Sequence, residues 1–396
     1  MIVPVTDRVH LQPRRGVRTP PHRVCVCPVS NNVPWFIRSL PAAAKDGQHQ
    51  PLSADLHPFC RATLARPEVG GLRMSQGTFH TPVMVDEVVD LLAPVPPGVI
   101  VDATLGGAGH AAAILASRPD LVLVGIDRDG DAVAEATIRL AGFGARARVH
   151  HARFDALSQV LAAAFPEGVE AVGGVSAVLF DLGVSSHQLD DPARGFSYRV
   201  TAPLDMRMDR ELALDAEDLV NTLDADALAH LFAAHGEERF AHRIARAIVR
   251  ERPVDTTSAL AHLVAGAVPP RARRRGHPAS RVFQALRVAV NEELDQLPVA
   301  LDQAFAALGA GGRIVTLAYH SGEDRLVKER FRTWSSGGCT CPPSLPCVCG
   351  ARPTARLVTR GARRPSADEV ARNPRAAAAR LRTVERLAGD DAGTVQ

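Results

Sequence analysis

The chain has 396 residues, of which 46% are hydrophobic and 22% charged, and its formal net charge at pH 7 is +3. The apolar content is that of a globular protein. The length is enough for two domains, or for one domain with a large insertion. No apolar run approaches the length of a membrane span, so we expect no membrane partner. Seven cysteines in a chain of this length do not form a secreted disulfide framework, which favours the cytoplasm.

Positive charge is concentrated in two segments. Residues 1–73 contain ten Lys and Arg against four Asp and Glu, and residues 350–386 contain ten Arg against three acidic residues. A nucleic-acid partner would therefore be held by local patches and not by the field of the whole protein.

Residues 1–73 are predicted to be a disordered extension. Prolines are scattered through the segment, and no helical or strand periodicity survives in it. It also lacks the apolar stretch of a secretory signal. Met74 is then a candidate for the true start of translation.

From residue 81 onwards the pattern is that of a sheet with helices. Residues 83–92 are predicted to form a helix, and the β-branched residues at 99–101 predict a buried parallel strand. A glycine-rich turn at 105–110 follows, then a short helix and a second strand ending on Asp127. Glycines let the backbone approach a ligand, and an acid in this position can accept hydrogen bonds from both ribose hydroxyls.

This unit indicates a nucleoside cofactor without identifying it. The spacing of Gly106, Gly107 and Gly109 is tighter than the G-x-G-x-x-G of dinucleotide-binding proteins. S-adenosylmethionine has no pyrophosphate and needs close approach to its methionine part, so the pattern favours this methyl donor over NAD. An ordinary glycine turn between a strand and a helix is the third interpretation.

The alternation of helices and strands continues to about residue 186. Residues 132–140 predict a helix, and residues 147–150 and 175–180 predict two further strands. Phe154 follows the first of these strands, where it either lies against an adenine ring or packs in the core. The second strand ends at Asp181, in the sequence DLGVSS.

Residues 190–290 show helical patterns and hardly any strand signal, which predicts a helical insertion in the sheet. The arginines of residues 271–275 lie in a Pro/Gly-flanked loop and are candidates for binding phosphate. A stripe along one predicted helix is either a second phosphate-binding face or a solvated one; it consists of Arg239, Arg243, Arg246 and Arg250.

Beyond the insertion, one long helix is predicted over residues 281–308 and a strand over residues 312–318. Ser321 and Asp324 resemble a capping box at the start of the next helix. His320 lies at the carboxyl end of the predicted strand, where active sites collect.

Four cysteines form a C-x-C…C-x-C cluster in a Pro/Gly-rich loop. Four thiolates can hold zinc, but this spacing is less diagnostic than paired C-x-x-C. A loop of reduced thiols is the alternative, and no metal ligand is assigned from the sequence. The residues are Cys339, Cys341, Cys347 and Cys349.

Together these motifs resemble the RsmH (MraW) family of ribosomal RNA small-subunit methyltransferases. The resemblance covers about residues 78–386, and its most specific parts are DLGVSSHQLD at 181–190 and PLDMRMD at 203–209. Gly322 stands where the family is expected to have leucine, and Ala108 where it more often has glycine. The other segments that carry the resemblance are HTPV at 80–83, residues 102–110, RGFSY at 194–198, GEE at 236–238, FQALRVAVN at 283–291 and HSGEDR at 320–325.

The resemblance implies an α/β fold: a class I methyltransferase with a Rossmann-like, mostly parallel sheet and an inserted all-helical domain. The implied S-adenosylmethionine-binding domain comprises residues 74–189 and 287–396. Residues 190–286 would form the insertion, and residues 1–73 would stay outside both.

The implied reaction transfers a methyl group from S-adenosylmethionine to N4 of a cytidine in the decoding region of 16S rRNA. The partner is then 16S rRNA within the small ribosomal subunit, and a homodimer is left open. The residues that the resemblance assigns to the cofactor are Ala108, Gly109, His110, Asp127, Phe154, Asp181 and Gln188.

The chemistry of this reaction requires a hydrogen-bond acceptor beside the base. The exocyclic amine of cytosine is a poor nucleophile because its lone pair is delocalised into the ring, so an acceptor must hold one N–H while water is excluded. We expect Asp181 to supply or orient that acceptor, with Phe196 and Tyr198 covering the base. The alternative is that Asp181 only contacts the cofactor.

Two other classes of function remain open. One is a different S-adenosylmethionine-dependent methyltransferase, acting on N4 of DNA cytosine or on protein. The other is a non-catalytic RNA-binding factor for ribosome assembly that keeps the fold.

Overall fold

The structure is a computed structural model that describes residues 82–272, 277–342 and 348–389. The predicted extension at 1–73, three of the loop arginines (273–275) and Cys347 lie outside these residues. No helix in the described ranges is both long and apolar enough to cross a membrane.

The strands of the described residues are β1 Gly98–Asp102, β2 Leu121–Asp127, β3 Ala147–His151, β4 Val175–Asp181, β5 Leu308–Ala318, β6 Ala355–Leu357 and β7 Arg380–Arg386. They form one sheet in the order β3-β2-β1-β4-β5-β7-β6. The strands from β3 to β5 pair in parallel, and β7 is antiparallel to both β5 and β6. The mostly parallel α/β sheet predicted from the sequence is confirmed.

The helices are α1 Val85–Leu92, α2 Gly109–Ser117, α3 Gly130–Leu140, α4 Leu157–Ala164, α5 Ser186–Asp190, α6 Ala216–Thr222, α7 Ala225–Gly236, α8 Ala241–Arg250, α9 Thr257–Ala267, α10 Ala279–Asn291, α11 Glu293–Ala307, α12 Ser321–Ser336 and α13 Ala367–Arg372. Helices α1, α2 and α3 pack on one face of the sheet, and α4, α11 and α12 pack on the other. Consecutive residues of β1 face opposite layers, Val99 and Val101 towards one and Ile100 towards the other, and all three are fully buried. A strand covered on both faces has this continuous apolar run.

The helices from α6 to α10 form a core of their own. Its fully buried members include Phe232, Ile244, Leu260 and Leu286, which come from four different helices. The strand-like pairing recorded in this region is a single bridge between Pro203 and Thr256. The region therefore packs as helices, in line with the helical patterns in its sequence.

The single long helix predicted over residues 281–308 is wrong. Glu292 has a left-handed backbone (φ 52°) and separates α10 from α11. The Asn291 side chain stabilises this break, because its Nδ2 donates to the carbonyls of Met206 and Arg287, and its Oδ1 accepts from the amide of Met208. No glycine or proline marks the break, so the local sequence gives no sign of it.

The capping box predicted for Ser321 and Asp324 is also wrong. The N-cap of α12 is His320, whose Nδ1 accepts from the amides of Gly322 and Glu323, while the Glu323 carboxylate accepts from the His320 amide. Asp324 instead forms ion pairs with Arg382 at 2.7 Å and Arg380 at 3.1 Å. The capping box therefore starts one residue earlier than predicted. The Asp324 carboxylate is not available for it, because it pairs with two arginines of β7.

A prediction for stability follows from Gly195. Its φ is +71°, and a Cβ atom there would lie 2.5 Å from the carbonyl oxygen of Pro203 and 2.7 Å from the amide of Asp205. We expect Gly195→Ala to lower the free energy of unfolding by about 2–4 kcal/mol, through backbone strain and overpacking. Equilibrium unfolding in urea measures the change.

The matched control is Gly266→Ala in the last turn of α9, where an added Cβ meets nothing within 4 Å. This substitution should leave stability unchanged or raise it by about 0.5–1 kcal/mol, because alanine favours a helix. Equal effects of the two substitutions would contradict the packing described for Gly195.

Candidate functional site

A cavity of about 670 Å³ lies at the carboxyl ends of β1, β2, β4 and β5. In the sheet order, β1 is the point from which the chain proceeds outwards in both directions, and open α/β sheets bind ligands at such a switch point. The residues that line the cavity include Pro82, Thr104, Gly106, Gly107, Gly109, His110, Asp127, Phe154, Asp181, Gly183, Gln188, Met208, Arg287, Glu293, Tyr319 and Glu323.

Asp127 joins the glycine-rich turn to the end of β2. Its Oδ2 accepts a hydrogen bond from the amide of Gly106 at 2.7 Å, and its Oδ1 accepts from the amide of Asp129 at 2.8 Å. Burial raises the pKa of this carboxyl, and the two amide donors oppose that rise. Each carboxylate oxygen has capacity for a further hydrogen bond, so Asp127 can accept donors from a bound ligand.

The rest of the glycine-rich turn is fixed by close packing. Gly109 begins α2 against Pro82, and a Cβ atom there would lie 2.4 Å from the Pro82 Cγ. Gly109 lines the cavity, but Ala108 does not: its side chain is fully buried in the core, and it caps α2 with a left-handed backbone (φ 56°). The family resemblance assigned both residues to the cofactor. Of the two, Gly109 lines the cavity, whereas the side chain of Ala108 lies in the core.

Phe154 and Gln188 both lie in the cavity wall. The ring of Phe154 meets that of Phe180 edge to face, with centroids 6.3 Å apart, and stays half-buried. The Gln188 side chain donates to Asp129 at 2.7 Å and accepts from the Ser185 amide at 2.9 Å. Gln188 is therefore held rigidly and contributes to the wall more as a support than as a freely oriented polar group.

Asp181 ends β4 and is flanked by two side chains. Its Oδ1 accepts from the hydroxyl of Tyr319 at 2.8 Å, and its Oδ2 lies 3.5 Å from Nδ1 of His110. Burial raises the pKa of the Asp181 carboxyl, while His110 and the Tyr319 hydroxyl act in the opposite direction. Part of the Asp181 side chain, 25%, remains exposed at the cavity, so a ligand can reach the carboxyl.

The other nitrogen of His110 fixes the orientation of the ring. Nε2 lies 2.9 Å from the carbonyl oxygen of Val83, to which an N–H in this position can donate. Nδ1 is then the nitrogen that faces the Asp181 carboxyl, at 3.5 Å.

A buried arginine lies on the same side of the cavity. Arg287 of α10 donates from Nε to Glu293 at 2.8 Å, and its Nη2 lies 3.5 Å from Glu323. The two carboxylates raise the pKa of Arg287 against its burial. A Cβ atom at Gly183 would lie 3.9 Å from the Arg287 Nη1, so this end of the guanidinium faces the loop after β4.

Asp102, at the end of β1, lies between the other two acids in the sheet but does not line the cavity. It is 1% exposed, and its Oδ1 accepts from the Thr104 amide at 3.2 Å. Burial raises its pKa to about 8, and the nearby charges of Asp181 and Asp127 add to the rise. At pH 7 the Asp102 carboxyl is therefore mostly protonated and adds little negative charge behind the site.

Tyr319 and Arg287 are the functional candidates that the sequence analysis missed. Arg287 had a detectable signal, because it is the one charged residue in the mostly apolar run FQALRVAVN. Tyr319 directly precedes His320 but shows no pattern of its own. Phe196 and Tyr198, expected to cover a base, are not in the cavity wall: Phe196 is buried in the helical core, and Tyr198 stacks on His277 with centroids 4.7 Å apart.

The sheet order, the glycine-rich turn bonded to Asp127, and a second buried acid at the end of β4 define a class I methyltransferase fold with a nucleoside site at its switch point. A family model described as the MraW methylase family matches residues 77–387. The chain belongs to this family.

Curated relatives agree with the family over most of their length. The chain is 49% identical over 314 residues to a protein of Geobacter sp. (strain M21), covering 78% of this chain and 98% of the relative. It is 52% identical over 318 residues to one of Frankia alni, covering 78% and 95%. A third, from Mycolicibacterium smegmatis, is 50% identical over 323 residues, covering 78% and 84%. All three are named ribosomal RNA small subunit methyltransferase H.

Proposed function

We propose that this chain transfers a methyl group from S-adenosylmethionine to N4 of a cytidine in the decoding region of 16S rRNA. The observation that carries the proposal is that one cavity unites the glycine-rich turn, Asp127 and the Asp181 carboxyl in a chain of the MraW methylase family. The names of the relatives support rRNA of the small subunit as the substrate class.

The cavity suits S-adenosylmethionine in shape and in charge. The remaining acceptor capacity of Asp127 suits the two ribose hydroxyls, and Phe154 offers an aromatic surface to the adenine. Ala108, Gly109, His110 and Gln188 complete the cofactor-binding set that we propose, Ala108 through its backbone because its side chain is buried. The sulfonium, which supplies an electrophilic methyl group, is a cation, and the Asp181 carboxylate in the cavity wall favours a cation beside it.

Asp181 is the group that we assign to the amine of the base. Its exposed part faces the cavity, and its carboxylate can accept a hydrogen bond from one N–H of N4, which raises the electron density on that nitrogen. Transfer would form the N4–methyl bond as the methyl–sulfur bond breaks and S-adenosylhomocysteine leaves, and the N4 proton would pass to the Asp181 carboxylate. Tyr319 holds the carboxyl in place by donating to its Oδ1.

Arg287 is the residue that we assign to the ring of the base. Glu293 and Glu323 fix its guanidinium, and Nη1 faces Gly183 next to Asp181. N–H donors in that position suit the ring nitrogen and carbonyl oxygen of cytosine, which are acceptors. A base within folded RNA has to be unstacked to reach them.

A second, shallower pocket of about 370 Å³ adjoins the cavity and shares Tyr319 with it. Its lining includes Arg281, Arg364 and Arg380. Arginines along such a groove suit the phosphates of an RNA strand whose base enters the cavity. We propose that the rRNA approaches from this side.

The domain arrangement implied by the family belongs to the same proposal. Residues 74–189 and 287–396 would bind the cofactor, and the helical residues 190–286 would form the insertion. The small ribosomal subunit in the cytoplasm is the proposed setting, and a homodimer stays a prediction.

The reaction is tested with purified chain, small ribosomal subunits and S-adenosylmethionine that carries a labelled methyl group. We expect the label in 16S rRNA, as N4-methylcytidine at one position, when the digested nucleosides are analysed by mass spectrometry. Label in DNA or protein under the same conditions would contradict the proposal that 16S rRNA is the substrate. A chain that shows no cofactor binding by calorimetry would favour the non-catalytic assembly factor.

The role of Asp181 is tested by separating binding from turnover. Asp181→Asn should bind S-adenosylhomocysteine within about threefold of the unchanged chain and lose at least about 100-fold in the rate of transfer, the range expected for a general base. Asp127→Asn should weaken cofactor binding by about tenfold, the equivalent of one hydrogen bond to a charged group. Calorimetry and single-turnover rates measure the two effects.

The control for both variants is Asp120→Asn, because Asp120 is an exposed aspartate that bonds to Arg118 before the start of β2. It should behave as the unchanged chain. Loss of binding and turnover together in Asp181→Asn would remove the support for a separate acceptor role.

A further inference from the structure

The cysteine loop brings three thiols together. The Sγ atoms of Cys339, Cys341 and Cys349 all lie within 4.8 Å of one another, and those of Cys339 and Cys349 are 3.5 Å apart. A disulfide bond has a length of about 2.05 Å, so these two sulfur atoms are in hydrogen-bond contact and do not form a disulfide. The cluster takes no part in the methyl transfer proposed above.

These separations suit a single tetrahedral metal ion. With zinc–sulfur distances of about 2.3 Å, two thiolates on one tetrahedral zinc lie about 3.8 Å apart. The observed 3.5 Å is close to that edge, and the upper bound of 4.8 Å for the group leaves only a small contraction on binding. Three thiolates are soft ligands, which favour zinc over magnesium or calcium.

The described residues of the loop that carries the thiols, 337–342 and 348–354, include no buried side chain, and Val348 is 88% exposed. Backbone hydrogen bonds in these residues lie at the two ends: Gly338 donates to Thr333, Cys339 donates to Ser336, and Thr354 donates to Trp334. A metal ion bound by the three thiols would crosslink the two described parts of the loop.

The position of the loop in the fold excludes a catalytic role for the metal. Helix α12 starts beside the cavity, where Glu323 lies in the wall, and the loop begins after its last residue, Ser336. The 16 residues of the helix correspond to about 24 Å. An ion at the far end cannot contact the reacting atoms.

We propose that Cys339, Cys341 and Cys349 bind a structural Zn²⁺ ion as thiolates, which closes the loop between α12 and β6. Zinc binding releases the thiol protons and crosslinks the part of the loop that holds Cys339 and Cys341 to the part that holds Cys349. The site is independent of the cofactor cavity.

The test uses the full chain, purified in the presence of a reductant after expression with added zinc. Mass spectrometry of the metal should find about one Zn²⁺ per chain, and Cys341→Ser should reduce this at least about tenfold after dialysis against a weak chelator. The control is Cys60→Ser, a cysteine far from the cluster in sequence, which should keep the zinc of the unchanged chain.

Cobalt provides a second measurement that does not depend on how well a variant folds. Chain stripped of zinc and loaded with Co²⁺ should show the visible absorption of a tetrahedral thiolate site, and added Zn²⁺ should abolish it. Zinc content that is absent from the unchanged chain, or equal in Cys341→Ser, would overturn the proposal. Iron in place of zinc, or a Co²⁺ spectrum without thiolate bands, would overturn it as well.

Discussion

The site depends on three buried aspartates at the ends of adjacent strands, whose charged forms burial destabilises. In the sheet, β1 lies between β2 and β4, so Asp102 lies between Asp127 and Asp181. Burial raises the pKa of all three carboxyls, because their charged forms are poorly solvated inside the protein, and Asp102, with a pKa of about 8, is mostly neutral at pH 7. A cationic ligand stabilises the charged form of a nearby carboxyl, and the sulfonium of the cofactor is such a cation.

Most residues of the site come from two segments on either side of the helical region, and the break at Glu292 lies in the second segment. At this break α10 gives way to α11, and Arg287 of α10 and Glu293 of α11 both line the cavity and bond to each other. Asn291 bonds at the same point to the backbone of Met206 and Met208, in the PLDMRMD segment. The buried Asn291 side chain thus ties the PLDMRMD segment to the end of α10, which carries Arg287.

The sequence was sufficient for the part of the fold that depends on local patterns. The buried strands β1, β2 and β4 have apolar runs, and the glycine-rich turn and Asp127 follow from their spacing. The break at Glu292 and the strands β6 and β7 were not predicted. Glu292 has no special residue type, and β7, RLRTVER, has more charged than apolar residues and is held in the sheet by antiparallel pairing with β5.

The cavity wall contains six of the residues that the family resemblance assigned to the cofactor: Gly109, His110, Asp127, Phe154, Asp181 and Gln188. Of these, the local pattern by itself indicated Asp127 and Asp181, which end strands, together with the glycine-rich turn and Phe154. Ala108 lies behind the wall, since the left-handed turn at this residue points its side chain into the core. Tyr319 and Arg287 reach the site only through tertiary packing, which a linear pattern does not display.

A crystal structure of the chain with S-adenosylmethionine would test the central claim most directly. The account predicts that both ribose hydroxyls donate to Asp127, that the adenine lies beside Phe154, and that the sulfonium methyl group points towards Asp181. A cofactor bound elsewhere, or one whose methyl group points away from Asp181, would contradict it.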